Sequence, residues 1–116
     1  MANVETAWLA GLLEGDGSFE RVKNGVKTVA PTIRIAMLDK DIIERVAKIF
    51  GTPVYSYLTP KGDKLMWRTQ LSKREKLKPI LEAILPLMGE RRKLQIESML
   101  NYFNTRGISP QEVDHR

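Results

Sequence analysis

Residues 8–19 read Trp8-Leu9-Ala10-Gly11-Leu12-Leu13-Glu14-Gly15-Asp16-Gly17-Ser18-Phe19. Good helix formers fill the segment from Val4 to Leu13, with Asn3 suited to the N-cap and an acid, Glu5, in the first turn. Gly15 and Gly17 then end the helix on either side of Asp16. From Ser18 the residues alternate as in a β-strand. The stretch therefore predicts a helix that passes directly into a strand, with acids at the junction.

Beyond this junction the sequence predicts two β-hairpins with helices between them. The first hairpin turns at Asn24-Gly25 and returns along Thr28–Met37, and Asp39 and Gly51 bound a helix at about Lys40–Phe50. The remaining predicted elements are strands at Pro53–Leu58 and Lys64–Leu71, a helix capped by Ser72 and bent or divided at Pro79, and a last helix at about Glu90–Asn104. The order α-β-β-α-β-β-α-α predicts an α+β domain over residues 1–104, with a four-stranded antiparallel sheet and helices on one face. Residues 105–116 are expected to form a C-terminal tail.

The two faces of this sheet differ in chemistry. Alternation places Ile33, Ile35 and Leu71 on the face covered by helices. The opposite face carries four polar side chains, Arg34, Lys64, Arg68 and Gln70. Basic and amide side chains on an open sheet have the chemistry to read bases in a DNA groove, although a solvated polar face has the same composition.

Composition narrows the classes of function. The 116 residues include 19 Lys and Arg against 14 Asp and Glu, a net charge of +5 that favours polyanionic partners. Cysteine is absent and the single histidine is His115, which excludes disulfides, cysteine-zinc sites and serine-histidine hydrolases. Any enzymatic chemistry must use carboxylates, lysines, arginines and a hard metal. No signal peptide or membrane span is expected, so an intracellular setting is the default.

The segment from Leu9 to Gly17 resembles the motif that names the LAGLIDADG homing endonucleases. Leu9, Ala10, Gly11, Leu12, Asp16 and Gly17 match the motif by identity, and Leu13, Glu14 and Gly15 are conservative replacements. The predicted order of elements is also that of the family. The resemblance, which extends over about Thr6–Phe103, implies a site-specific double-strand DNA endonuclease of the kind that acts in intron homing.

A stripe of small residues runs along the motif helix. Ala7, Gly11 and Gly15 are four residues apart and stack on one side, where another helix could approach closely. The alternative is that they face the chain's own sheet. Because the chain has one copy of the motif, the resemblance implies a homodimer, with the motif helices packed along a twofold axis.

The acids at the junction point to a metal site. The family's metal ligand, at the eighth motif position, falls on Asp16, while Glu14 is not expected to be a direct ligand. In a dimer two Asp16 carboxylates would lie close together and repel, and divalent cations would relieve that repulsion. Asp16 with the Gly15 carbonyl suits Mg²⁺, or Mn²⁺. The alternative for Asp16 is a simple turn residue beside Gly17.

The resemblance also implies a basic residue near the start of the last helix. Lys93 has the residue type that the family carries at this place. Arg92 takes the place instead if the alignment with the family is anchored on Gln95, and the neighbouring Arg91 is a further cation. The sequence departs from the family at Met37, where many members carry a polar residue that helps to order the attacking water.

DNA contacts are assigned by position on the predicted strands. We expect base-edge contacts from Arg34, Lys64, Arg68 and Gln70, and phosphate contacts from Lys61, Arg21 and Lys23. Arg21 and Lys23 share the strand parity of Phe19, so a bulge or the end of the strand must release them toward DNA. The sequence thus predicts a Mg²⁺-dependent homodimeric endonuclease for a roughly palindromic duplex, with no small-molecule substrate. The alternatives are a family member that binds DNA or assists splicing without cleavage, and a basic domain that only dimerises.

Overall fold

The computed structural model describes residues 3–24 and 28–108, with side chains placed at residues 3–20 and 30–104. The elements are α1 (Val4–Asp16), β1 (Gly17–Asn24), β2 (Thr28–Met37), α2 (Lys40–Phe50), β3 (Tyr55–Leu58), β4 (Leu65–Leu71), α3 (Arg74–Ile84) and α4 (Glu90–Ile108), with a short 3₁₀ turn at Leu85–Leu87. This order confirms the predicted α+β architecture. The turn predicted at Asn24-Gly25 falls on residues 25–27, outside the described residues, as do residues 109–116.

The four strands form one antiparallel sheet in the order β1-β2-β4-β3. β1 and β2 pair without a break, from Gly17 opposite Ile35 to Asn24 opposite Thr28. The bulge that was expected as one way to release Arg21 and Lys23 is therefore absent from this pairing. β4 joins β2 only from Ile33 onward, so Pro31 is paired on one side alone, with Arg21 of β1.

The hydrophobic core lies between the sheet and the helices. Ile33, Ile35 and Leu71 are buried on one face of the sheet, as predicted, and pack in one cluster with apolar residues of all four helices. Thr69 is also buried on that face, where its hydroxyl donates to the Pro53 carbonyl at 2.8 Å. The helices therefore cover one face, and the polar side chains of β2 and β4 remain on the other.

Several element ends differ from the sequence prediction. α1 continues through Gly15 to Asp16 and ends at Gly17, whose backbone is extended; glycine is needed there because a Cβ would lie 2.8 Å from the Leu13 carbonyl oxygen. Lys73 rather than Ser72 is the N-cap of α3, which begins at Arg74 without a side-chain cap. Tyr55, not Pro53, is the first residue of β3, and α4 extends beyond Asn104 to Ile108.

Pro79 neither divides nor ends α3. Proline lacks the N–H that would continue the helical hydrogen bonding, which normally disfavours a position inside a helix. Leu77, Leu81 and Ile84 of α3 are nevertheless fully buried in the core. Tertiary packing on both sides of the proline thus maintains one helix from Arg74 to Ile84.

Candidate functional site

The junction of α1 and β1 presents two oxygen donors next to each other. Asp16 is the last residue of α1 and is exposed, and Gly15 before it is exposed as well. The Gly15 carbonyl belongs to the last four of the helix, which have no partner within the helix. The structure therefore places a carboxylate and a backbone carbonyl side by side at an accessible helix end.

This donor set is incomplete within one chain. Over residues 3–24 and 28–108 there is no group of three or more histidines and acids that could hold a metal ion. Mg²⁺ is commonly bound through only one or two carboxylates together with phosphate oxygens and water. The oxygen donors of Gly15 and Asp16 fit such an ion if another molecule supplies the remaining ligands.

Arg92 at the start of α4 is bonded to the end of α1. Its Nε donates to the Glu14 carbonyl at 3.1 Å, its Nη2 to the Gly17 carbonyl at 2.8 Å, and its Nη1 to Gln95 Oε1 at 3.0 Å. Only 7% of Arg92 is exposed, and its guanidinium lies over the Phe19 ring. These bonds connect the candidate metal site to α4, although the predicted role of Arg92 was contact with the reacting phosphate.

Burial governs the electrostatics of this contact. It lowers the pKa of Arg92 from its ordinary value, the positive charge of Arg91 lowers it further, and Glu14 raises it. Arginine stays protonated at any physiological pH, so the guanidinium remains a charged donor. The other two predicted cations differ in environment, since Arg91 is exposed and Lys93 is half-buried.

Glu14 adds a second contact between the same helix ends, this time from a side chain of α1 to the backbone before α4. Its carboxylate accepts the backbone N–H of Gly89 at 2.7 Å, directly before α4. A Cβ on Gly89 would lie 3.3 Å from the same carboxylate, so glycine permits this close approach. The Glu14 carboxylate is thereby turned toward the start of α4.

The small-residue stripe of α1 is open to solvent. Ala7, Gly11 and Gly15 are all exposed, and a Cβ placed on either glycine would meet no described atom within 4 Å. Val4, on the same helix, is 83% exposed. The stripe therefore does not face the chain's own sheet.

The open face of the sheet carries a polar network that crosses three strands. Arg34 on β2 lies opposite Gln70 on β4, and its Nε donates to Gln70 Oε1 at 3.2 Å. Arg34 Nη1 lies 3.3 Å from the Glu20 carboxylate on β1, which also accepts a hydrogen bond from the Ser18 hydroxyl. Two predicted base-reading residues are thus brought together, with an acid that the sequence analysis did not include.

Arg68 lies on the same face beside two tyrosines of β3. Its guanidinium is 5.6 Å from the Tyr55 ring centre and 5.8 Å from that of Tyr57. Its Nε is buried, and within the described part of the chain it has no hydrogen-bond partner. Both tyrosines are exposed, so the group presents aromatic and cationic surface together.

The other predicted DNA contacts lie at the edges of this face. Lys61 is in the turn between β3 and β4, and Lys64 lies just before β4; both are exposed. The side chains of Arg21 and Lys23 lie outside the part of the structure in which side chains are described.

Sequence reasoning missed Glu20 and the tyrosines of β3. Glu20 pairs with Thr32, two positions from the pair of Ser18 with Arg34 and on the same face of the sheet, so a known register would have brought it to Arg34. Tyr55 and Tyr57 alternate in the sequence, which is a period-two signal for one strand face. By contrast, no local pattern marks Arg92 as buried.

Comparison with known proteins gives one family. The family model described as "LAGLIDADG-like domain" matches residues 3–84. Comparison with curated protein sequences gave no match.

None of the helices in the described residues has the length and apolar character needed to cross a membrane.

Solved structures share the architecture. The homing endonuclease I-CvuI, crystallised with the I-CreI target and Mg with its DNA not cleaved, is 18% identical at a TM-score of 0.72, over 91% of this chain and 69% of that one. The homing endonuclease I-TnaI is 18% identical at 0.64, over 93% and 78%. The LAGLIDADG homing endonuclease I-GzeII, in complex with a DNA target, is 16% identical at 0.73, over 96% of this chain and 39% of that one. At such identities the likeness shows a common fold.

Proposed function

The chain belongs to the family of LAGLIDADG-like domains, and on this basis we propose that it is a site-specific, metal-dependent DNA endonuclease that acts as a homodimer. The observation that carries the proposal is the end of α1, where an exposed Asp16 follows an open stripe of small residues. A helix that is closely approached by its symmetry copy would bring two such carboxylates together. That pairing supplies the ligands that a single chain lacks.

The dimer is proposed from the open stripe. Gly11 and Gly15 leave room for a second helix backbone, because they carry no side chain and a Cβ at either position would meet no described atom within 4 Å. Exposed Val4 and Ala7 extend the apolar surface toward the start of α1. Burial of this surface favours association.

Asp16 and the Gly15 carbonyl would hold the metal ion in each half of the dimer. A divalent ion at this place would polarise the scissile phosphate and activate water. The chain's own contribution is to fix the two oxygen donors at the end of α1. Arg91 and Lys93 at the start of α4 provide positive charge for the phosphate.

The open sheet face is proposed to lie in the major groove. Arg68 and Gln70 of β4 and Arg34 of β2 are the base-edge candidates, because arginine suits guanine and glutamine suits adenine. Lys61 and Lys64 at the hairpin would contact phosphates or flanking bases, as would Arg21 and Lys23. A symmetric dimer implies a roughly palindromic target.

A randomised duplex library incubated with Mg²⁺ tests the proposal. The wild-type protein should cut one near-palindromic site, and Asp16→Asn should bind that site without cutting it. If neither protein cuts but both enrich the same duplex, the nuclease proposal is wrong and a DNA-binding role remains. If nothing is cut or enriched, the same comparison is made with RNA.

Met37 favours a second candidate function, DNA binding or splicing assistance without cleavage. It is half-buried and packs against the core cluster, opposite Trp67 on β4. A thioether has no hydrogen-bond donor and only a weak acceptor with which to orient an attacking water. Met37→Gln in the wild-type background distinguishes the two functions, because it should increase the cleavage rate of an enzyme and give no cleavage in a binding protein.

A further inference from the structure

We propose that Arg92 and Glu14 are positioning residues that together hold the end of α1, and with it Asp16, in place; this inference rests on the proposed function. Both residues connect α1 to α4, which starts more than seventy residues later in the chain. The contact between these two helix ends is called the α1–α4 clamp below.

The clamp gives each helix end the charge that it requires. An acid such as Asp16 is unfavourable at the C-terminus of a helix, where the backbone dipole is already negative. Arg92 brings a positive charge to this end through the Glu14 and Gly17 carbonyls. Glu14 in return brings a negative charge to the N-terminus of α4, where it accepts the N–H of Gly89. Arg92 thus offsets the cost of Asp16 at its position.

The bonded carbonyls lie on both sides of the metal-binding residues. Arg92 donates to the carbonyl oxygens of residues 14 and 17, so Gly15 and Asp16 lie between two hydrogen-bonded residues. A segment fixed on both sides presents its oxygen donors with little conformational freedom to lose on binding an ion. The clamp therefore acts on metal affinity through Asp16 and not by touching the ion.

The same contacts argue against Arg92 as the cation at the reacting phosphate. Its guanidinium is buried, and all three of its nitrogens donate within the chain. Arginine is also a poor proton acceptor. The role of the phosphate-facing cation then passes to Arg91 or Lys93.

Two Arg→Lys variants test the clamp. Arg92→Lys keeps the charge but cannot span both carbonyls, and Arg74→Lys is the matched control at the exposed first residue of α3. Glu14→Gln is a second clamp variant that removes only a charge. The first measurement is amide hydrogen exchange of residues 14–18 relative to β4, which requires neither DNA nor metal. The second is the Mg²⁺ concentration for half-maximal single-turnover cleavage, together with Ca²⁺ affinity of the DNA complex by calorimetry.

We expect Arg92→Lys to accelerate exchange at residues 14–18 by about tenfold relative to β4, as for loss of one charged hydrogen bond. The Mg²⁺ midpoint and the Ca²⁺ dissociation constant should rise by a similar factor, while the rate at saturating Mg²⁺ is largely kept. Glu14→Gln should shift all three values in the same direction, and Arg74→Lys should change none of them.

Equal exchange and equal metal midpoints in Arg92→Lys and Arg74→Lys would overturn the proposal. So would a lower saturating rate in Arg92→Lys at an unchanged Mg²⁺ midpoint, since that pattern marks direct phosphate contact. If the wild type binds no Ca²⁺ and cuts no DNA, the proposed function is wrong. The exchange comparison then decides alone whether Arg92 holds the end of α1.

Discussion

Substituting Gly11 by alanine tests whether the exposed face of α1 is free in solution or forms a dimer interface, because the two cases predict opposite effects on stability. In the isolated chain the new methyl group meets no described atom within 4 Å. Alanine is more favourable than glycine inside a helix by about 0.8–1.0 kcal/mol, so the single chain should become more stable by that amount. For a domain of this size the gain corresponds to a rise in melting temperature of about 4 °C.

In a dimer with closely packed α1 helices the same methyl group has the opposite effect. Each copy adds one methyl to a contact that the glycines leave open, and overpacking of this kind costs about 1–3 kcal/mol. Dissociation should become easier by roughly 5- to 150-fold, and the melting temperature of the wild type should depend on protein concentration.

Sedimentation velocity over a wide concentration range, with urea unfolding at its two ends, measures both effects. Ser98→Ala is the control, because Ser98 is an exposed position on α4 where alanine also improves helix propensity. It should stabilise the chain without changing association. A wild type that is monomeric throughout, or a Gly11→Ala variant that gains stability with unchanged association, would refute the interface.

Three further outcomes are expected. Gly17→Ala should destabilise the chain by about 1–3 kcal/mol in urea unfolding, because its Cβ would lie 2.8 Å from a backbone carbonyl that cannot move aside; unchanged stability would contradict this contact. Lys61→Ala should reduce the salt slope of DNA binding by about 0.9, whereas Lys48→Ala on α2 should leave it unchanged; equal slopes would remove Lys61 from the interface. Glu20→Gln should tighten DNA binding at low salt, because it frees the Arg34 guanidinium that lies 3.3 Å from that carboxylate. An unchanged affinity would mean that Arg34 does not face phosphate or base.

Local sequence determined the elements and their order. α2 is found at the predicted Lys40–Phe50 and β2 at the predicted Thr28–Met37. Both have a clear hydrophobic period, and Gly51 ends α2 with a left-handed backbone at φ 73°. The stripe of small residues on α1 was also accessible from the sequence, since a helical repeat does not depend on distant parts of the chain, but only the structure showed that the stripe is exposed.

Tertiary structure alone decided what the polar residues of the site contact. Arg91, Arg92 and Lys93 are adjacent cations in the sequence, where nothing indicates which is buried, and only the packing of α4 against the end of α1 buries the middle one. Arg34 and Gln70 are both polar strand residues in the sequence, but the β2–β4 register makes them partners. The physical reason is the separation along the sequence of the residues involved. Helical and strand periodicities arise between residues a few positions apart. Burial and hydrogen bonding of a charged side chain depend on distant segments that only the folded chain brings together.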